Sequence, residues 1–541
     1  MGDLHDYRTV AGPLPDLNRQ WRLTGPGLSD LERPVGVPLP VPGHDELLVR
    51  HDAVGVCSSD VKIARLGLDH PRVRGFPVVP GHEVSLTVAA VGAGLRDAYA
   101  PGDRFIVQAS MTIDGCARAY GYDLPGGLAQ YAVLGPEMLP YLVSVRPSTG
   151  YAEAALAEPW ACVEAAYAIA YRTAWRAGGT VWLTGDGAGV ELGEAAGWRP
   201  GRLHLDVQDA AFAQRVRDWA YAAGVEVVAG APADAVDDAV VLGPEPERVE
   251  QALAALAPNG TCAVVTTAPM ARPVRVDVGR LHYDGLALFG TAQKDLAAPY
   301  APIRTELMPG GRLWVLGAGG PMGRMHLRRA LQRDGRPASI VATDRSGRAA
   351  RGFGRVAPGV LTFMSERECG DSETLAKGLN DATGGLGFDD VVVVAPAAPA
   401  VEAAFEQLAD GGVINLFAGL PRGTRCAWDL TAIAHRGVRV VGTSGSSIAD
   451  LRQARDRIES GVLQPNRSVA AIAGLDAAPE ALRAVAEGRF GGRVVVFPNL
   501  RGALPLTPLA DLAGVLPEVA DRLERGHWTH AAEEELLRAL T

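Results

Sequence analysis

Residues 312–344 read RLWVLGAGGPMGRMHLRRALQRDGRPASIVATD, and the fold follows from them. An apolar run ends in the glycine turn Gly317-Ala318-Gly319-Gly320-Pro321-Met322-Gly323, which opens a helical stretch; a second apolar run, SIVATD, ends on Asp344. Pro321 suits the first turn of a helix, where its missing N–H costs nothing. Glycines let the backbone approach a pyrophosphate, a helix N-terminus supplies N–H donors and a positive dipole, and a strand-end acid accepts hydrogen bonds from a ribose. Gly317, Gly319, Gly320, Pro321, Met322, Gly323, Asp344 and the adjacent Arg345 are therefore the expected dinucleotide-binding residues. Asp344 favours NAD; Arg345, with Arg348 and Arg351, suits the 2′-phosphate of NADP.

Working outward, the chain repeats itself. Asp238 to Gly290 aligns with Asp390 to Gly442 without a gap, at a constant offset of 152 residues. DAVVL matches DVVVV, APNG matches ADGG, Asp277 matches Asp429, and upstream VWLTG (181–185) matches LWVLG (313–317). Short apolar runs alternating with helical stretches indicate a doubly wound parallel sheet, so two tandem Rossmann domains are predicted. The copies differ. In the first, Gly185-Asp186-Gly187-Ala188-Gly189 puts a carboxylate where a phosphate would lie, and Pro200 cuts the following helix short. A structural or dimerisation role is expected for it.

The N-terminal third carries other chemistry. Residues 45–110 read as short strands between Gly/Pro turns, a compact β-barrel-like domain. Within it and just beyond stand Gly55-Val-Cys-Ser-Ser-Asp60, Pro80-Gly-His-Glu-Val84, Pro101-Gly-Asp-Arg104 and Ala157-Glu-Pro-Trp-Ala-Cys162. A thiolate, an imidazole and a carboxylate brought together suit a catalytic zinc that keeps one position open. In its order of motifs the chain resembles the zinc-containing medium-chain dehydrogenases, and among them the sorbitol, threonine and sugar-phosphate enzymes. The resemblance covers the N-terminal domain, residues 313–498 and the closing strand GRVVVFP; residues 165–305 are additional.

The resemblance implies a GroES-like catalytic domain with one zinc held by Cys57 and His82, and with Glu83 and Glu158 as a further or water-mediated ligand. It also implies that Ser59 receives the substrate proton. Lys62 stands where many relatives have a relay histidine; an ammonium near a zinc dication should titrate lower, so Lys62 suits proton transfer or a substrate phosphate. Only three of the 52 basic residues are lysines: Lys62, Lys294 and Lys377. Relatives with a structural zinc need four close cysteines, whereas only Cys116 stands near residues 100–120, so no second zinc is expected. Gly102-Asp103 is read as a turn, and Arg118 and Trp160 as candidates to line the substrate pocket.

Composition bounds the partners. The formal net charge is −10 and there is no run of lysine or arginine, which argues against nucleic acid and against an acidic membrane surface. Six widely spaced cysteines form no CxxC pair and no disulfide framework. No apolar stretch approaches a membrane span, and a cytoplasmic enzyme is expected. The tail 503–541 repeats Leu and Val at helical spacing and reads as two amphipathic helices, with Trp528 as a packing anchor.

The expected class is α/β, divided at 1–164 (zinc domain), 165–305 (degenerate Rossmann-like domain), 306–465 (NAD(P)-binding domain) and 466–541 (a segment returning to the catalytic domain). The expected activity is zinc-dependent hydride transfer between NAD(P) and a secondary alcohol of a polyol, sugar phosphate or cyclitol. Alternatives are a redox-neutral epimerase or lyase with tightly held NAD, and a non-catalytic nucleotide-binding scaffold. A small-molecule alcohol or ketone is the expected partner, in a homodimer or homotetramer.

Overall fold

The computed structural model describes residues 4–34, 36–70, 72–345, 347, 353 and 359–541. It divides into two compact units: residues 1–165, 320–325 and 445–541 form one, and residues 166–319 and 326–444 the other. No helix among the described residues is long and apolar enough to cross a membrane.

The first unit is built on a sheet whose centre is the strand Leu47–Val56, buried along its whole length. Glu83–Val91 pairs antiparallel with it on one side, followed outward by Arg104–Val107 and Leu142–Ser144. On the other side lies Arg493–Phe497, then Val469–Gly474. The last two run parallel and are linked through the helix Ala478–Ala486, so a C-terminal crossover completes an N-terminal sheet. Leu47, Val49, Val54, Leu86 and Val496 are at most 2% exposed and pack in one core.

The return to this unit comes earlier than the expected boundary at 466. The helix Ile448–Glu459 already belongs to it, and Arg457 pairs at 2.6 Å with the buried Glu164 of the helix Ala157–Ala165. The tail also differs from the two predicted helices. Residues 509–520 form only a 3-10 segment and one short turn, because Pro517 interrupts the pattern, whereas His530–Leu540 is a regular helix. Trp528 is buried against Phe497.

In the second unit the two repeats are not separate domains but halves of one sheet of twelve strands. The first half runs, from its edge, 226–229, 202–207, 180–185, 236–242, 256–265, 287–291; the second runs outward as 439–442, 408–416, 388–393, 312–316, 339–344, 361–365. Each half has the doubly wound order 3-2-1-4-5-6 with parallel neighbours. The halves meet antiparallel at Leu288 and Val440, residues separated by the same 152 positions that relate the repeats. Beside this seam Val274–Asp277 pairs antiparallel with Arg425–Trp428, where Arg275 faces Ala427, again 152 residues apart. An internal two-fold thus passes through the junction, and one apolar core containing Val264, Leu288, Ile414 and Val440 spans both halves. The expected division at 305/306 is therefore a boundary in sequence only.

Glu533 provides a pH-dependent check on the first unit. Its buried carboxylate accepts the N–H groups of Tyr151 and Ala152 at the start of the helix Tyr151–Ala155, and burial pushes its pKa up to about 7. A folded pKa above the unfolded one means that its contribution is present at low pH and lost as pH rises through 7. Glu533→Gln should therefore gain stability relative to wild type, by up to about 3 kcal/mol, between pH 5 and pH 8, as read from urea midpoints.

Candidate metal centre

The centre grows from the pairing of two strands and the turn that follows one of them. Leu47–Val56 leads through Cys57 into the helix Ser58–Leu66, and Pro80-Gly81-His82 leads into Glu83–Val91. Because Gly55 is paired with Glu83, Cys57 lies beyond the end of one strand next to the start of the other. One ligand atom each of Cys57, His82 and Glu83 lies within 4.8 Å of the others, and no further group of this kind is found among the described residues. His82 and Glu83 are buried and Cys57 is half-buried.

Asp60 arranges this set. Its Oδ2 accepts the N–H of Cys57 at 2.9 Å, capping the helix, while its Oδ1 accepts the N–H of Gly81 at 3.0 Å and lies 3.1 Å from Nδ1 of His82. A carboxylate on Nδ1 fixes the ring orientation and leaves Nε2 to a metal. Burial opposes protonation of His82, but Tyr122, Asp60 and Cys57 together outweigh it and hold the imidazole pKa well above its usual value. The motif containing Asp60 was legible, yet its role was missed. The available signal was an acid at the third position of a helix preceded by the candidate ligand.

Glu83 pairs through Oε2 with the guanidinium of Arg493, buried at 3% exposure. Its other oxygen, Oε1, is buried with no hydrogen-bond partner. An orphaned carboxylate oxygen beside a thiol and an imidazole is the donor set that a zinc ion with an open coordination position accepts. The residues thus fit the expected group. Arg493 was not foreseen; a cation starting the otherwise apolar strand RVVVF was the signal.

Glu158 stands beside the three-residue set rather than within it. Burial pushes its carboxyl up to about 7, with His82 opposing, Glu83 adding and Arg493 opposing, and its Oε1 lies 3.7 Å from Sγ of Cys162. Ser59 is half-buried in the first turn of the helix Ser58–Leu66, and the ring of Tyr122 lies 5.5 Å from that of His82. Lys62 projects into solvent from the helix Ser58–Leu66. Cys116 is exposed, and Asp103 accepts the N–H of Ala100 in the turn with Gly102. Trp160 is fully buried and Arg118 pairs with Asp123, so neither offers a free side chain to a substrate.

The nucleotide segment takes the geometry its glycines require. Gly317 has φ +93°, and a Cβ there would lie 2.6 Å from the backbone nitrogen of Ala395; a Cβ on Gly319 would strike the Asp344 carboxylate. The helix Pro321–Gln332 begins at Pro321, and the sulfur of Met322 lies 3.9 Å from Nη1 of Arg493. Gly320 and Gly323 flank these residues at the helix start. Asp344 accepts the N–H of Gly347 and Arg345 is exposed. Arg348 and Arg351 lie outside the described residues. In the first repeat the corresponding strand Thr180–Gly185 is followed only by a 3-10 turn, Gly193–Gly197, and Lys294 donates to the carbonyl of Ala188 at 2.9 Å within the glycine turn.

Comparison with known proteins agrees with this architecture. Residues 43–144 match the alcohol dehydrogenase GroES-like domain. The chain is 24% identical to mannitol-1-phosphate 5-dehydrogenase of Aliivibrio fischeri, covering 88% of this chain and 86% of that protein. It is 24% identical to L-sorbose 1-phosphate reductase of Klebsiella pneumoniae, covering 92% and 93%. Its fold resembles that of 2R,3R-butanediol dehydrogenase from Bacillus subtilis, with a TM-score of 0.54 at 14% identity over 89% of this chain and 100% of that one. The chain carries an alcohol dehydrogenase GroES-like domain, and proteins named as polyol and sugar-phosphate dehydrogenases match most of its length. It is an oxidoreductase, with a GroES-like unit joined to Rossmann-type parallel sheet.

Because Asp60 holds the His82 ring, Asp60→Asn should weaken zinc binding roughly 10- to 100-fold in a competitive chelator titration, with the circular dichroism spectrum unchanged. An unchanged affinity would remove Asp60 from the centre.

Proposed function

We propose that the protein is a zinc-dependent, NAD(P)-linked oxidoreductase acting on a secondary alcohol, or the corresponding ketone, of a polyol or sugar phosphate. The observation carrying this reading is the unpartnered, buried Oε1 of Glu83 beside Cys57 and His82. The names of relatives that match most of the chain support the substrate class.

In this reading Cys57, His82 and Glu83 hold the metal, with Glu158 nearby as a fourth candidate ligand. The glycine turn 317–323 and Asp344 bind the dinucleotide, with NAD preferred because Asp344 stands where a 2′-phosphate would be repelled. The chemistry supplied when both are bound is Lewis-acid polarisation of the substrate oxygen and hydride exchange with the nicotinamide ring. The chain's own residues position and move the proton. Ser59, both donor and acceptor, takes the hydroxyl proton, and the exposed Lys62, one turn further along the helix Ser58–Leu66, passes it to solvent. Arg493 aligns Glu83 by pairing with Oε2, which leaves Oε1 available to a bound metal.

The test combines metal analysis with turnover. Purified protein should carry about one zinc per chain and form NADH from NAD with at least one hexitol or hexitol phosphate, and Cys57→Ala should lose both properties. A zinc-free wild type with full turnover would overturn the metal's role.

A further inference from the structure

Beside the metal centre, Lys62, given a role in proton transfer above, stands with two basic side chains, His70 and Arg72, for which hydride transfer has no use. Tyr122 joins this group to the metal centre. Its buried ring lies 5.5 Å from His82, 5.3 Å from the imidazole of His70, and 5.9 Å from the guanidinium carbon of Arg72. Arg72 is anchored by one nitrogen, which donates to Oγ of Ser110 at 2.9 Å, and its backbone N–H donates to Nδ1 of His70 at 3.2 Å. Lys62 belongs to the same field: burial, then the charges of Arg72 and Lys62, lower the pKa of His70.

The nearby acids do not neutralise this group. Asp60 is engaged by His82, and Asp123 is taken by Arg74 and Arg118, while Asp69 is exposed. Among the described residues neither Lys62 nor Arg72 forms an ion pair. A neutral polyol gains little from such a field, since its hydroxyls are served equally by uncharged donors and acceptors. A phosphate monoester, with a charge of about −1.5 to −2 at neutral pH, is the ligand that paired cations recognise.

We propose that Lys62, His70 and Arg72 form a phosphate subsite of the active site, so that the substrate is a phosphorylated polyol or the matching keto-sugar phosphate. The reaction assignment rests on the oxidoreductase reading above; the anion-binding assignment stands on the side chains alone. In oxidation the carbinol C–H bond breaks, and its electron pair passes with the hydrogen to NAD(P)⁺. The hydroxyl proton leaves to solvent, the C=O bond forms, and the phosphate ester is unchanged. The two relatives named above act, by name, on phosphate esters of this class.

Calorimetric titration of the zinc-loaded full chain with mannitol, glucitol and galactitol, and with their 1-phosphates, tests this. At least one ester should bind roughly 10-fold or more tighter than its parent hexitol. Arg72→Met should weaken ester binding roughly 10- to 100-fold, Arg72→Lys should restore part of it, and the affinity for the plain hexitols should not change. Esters that bind no better than hexitols, or ester affinity indifferent to Arg72→Met, would overturn the subsite. Arg72-dependent binding without oxidation of any ester would keep the subsite and remove the dehydrogenase reading. Oxidation of plain hexitols with a KM no higher than that of the esters would do the reverse.

Discussion

Glu83 and Arg493 meet over Gly55, and the metal centre depends on that crossing. The two lie on the strands Glu83–Val91 and Arg493–Phe497, which flank Leu47–Val56 on opposite sides. They touch because position 55 has no side chain: a Cβ there would collide with the carboxylate of Glu83. Breaking a buried ion pair by removing one partner leaves an uncompensated charge and is strongly destabilising. Here it would also release the oxygen that completes the donor set. Glycine, acid and arginine are therefore one device, and its last part arrives only when the chain's C-terminal crossover has joined the sheet.

The duplicated half follows a different constraint. A strand at the end of a parallel sheet exposes unpaired N–H and C=O groups, which symmetric assemblies commonly satisfy by pairing two copies of the same edge. Here the second copy lies in the same chain. Leu288 faces Val440 and Arg275 faces Ala427, in each case a residue facing its own counterpart in the repeat. The first repeat keeps the strands that make this junction, while the helix after its glycine turn has shrunk to a 3-10 segment. Sheet pairing and a helix that opens directly from a glycine turn make separable demands on the sequence, and only the second repeat meets both.

Much of this was legible because it is local. The glycine turn before Pro321, the acid ending SIVATD, the repeat offset and the Cys57, His82 and Glu83 motifs are short patterns within single stretches of sequence. What escaped depends on pairings between distant segments. Arg493 reaches Glu83 across 410 residues, and Tyr122 meets His70 and His82 from outside every motif. The merging of two repeats into one sheet turns on an edge-to-edge register that periodicity does not encode. The helix Ile448–Glu459 was assigned to the nucleotide-binding part because its amphipathic pattern shows a buried face without naming its neighbour; the Arg457–Glu164 pair supplies it. In the tail, leucine spacing suggested a helix that Pro517 does not allow.

X-ray absorption at the zinc edge of the zinc-loaded full chain tests the metal set most directly. The donors Cys57, His82 and Glu83 predict one sulfur at about 2.3 Å, with the remaining scatterers nitrogen or oxygen at about 2.0–2.2 Å and an imidazole signature. A spectrum with no sulfur, or with two or more, would contradict this centre and place the ion on other residues.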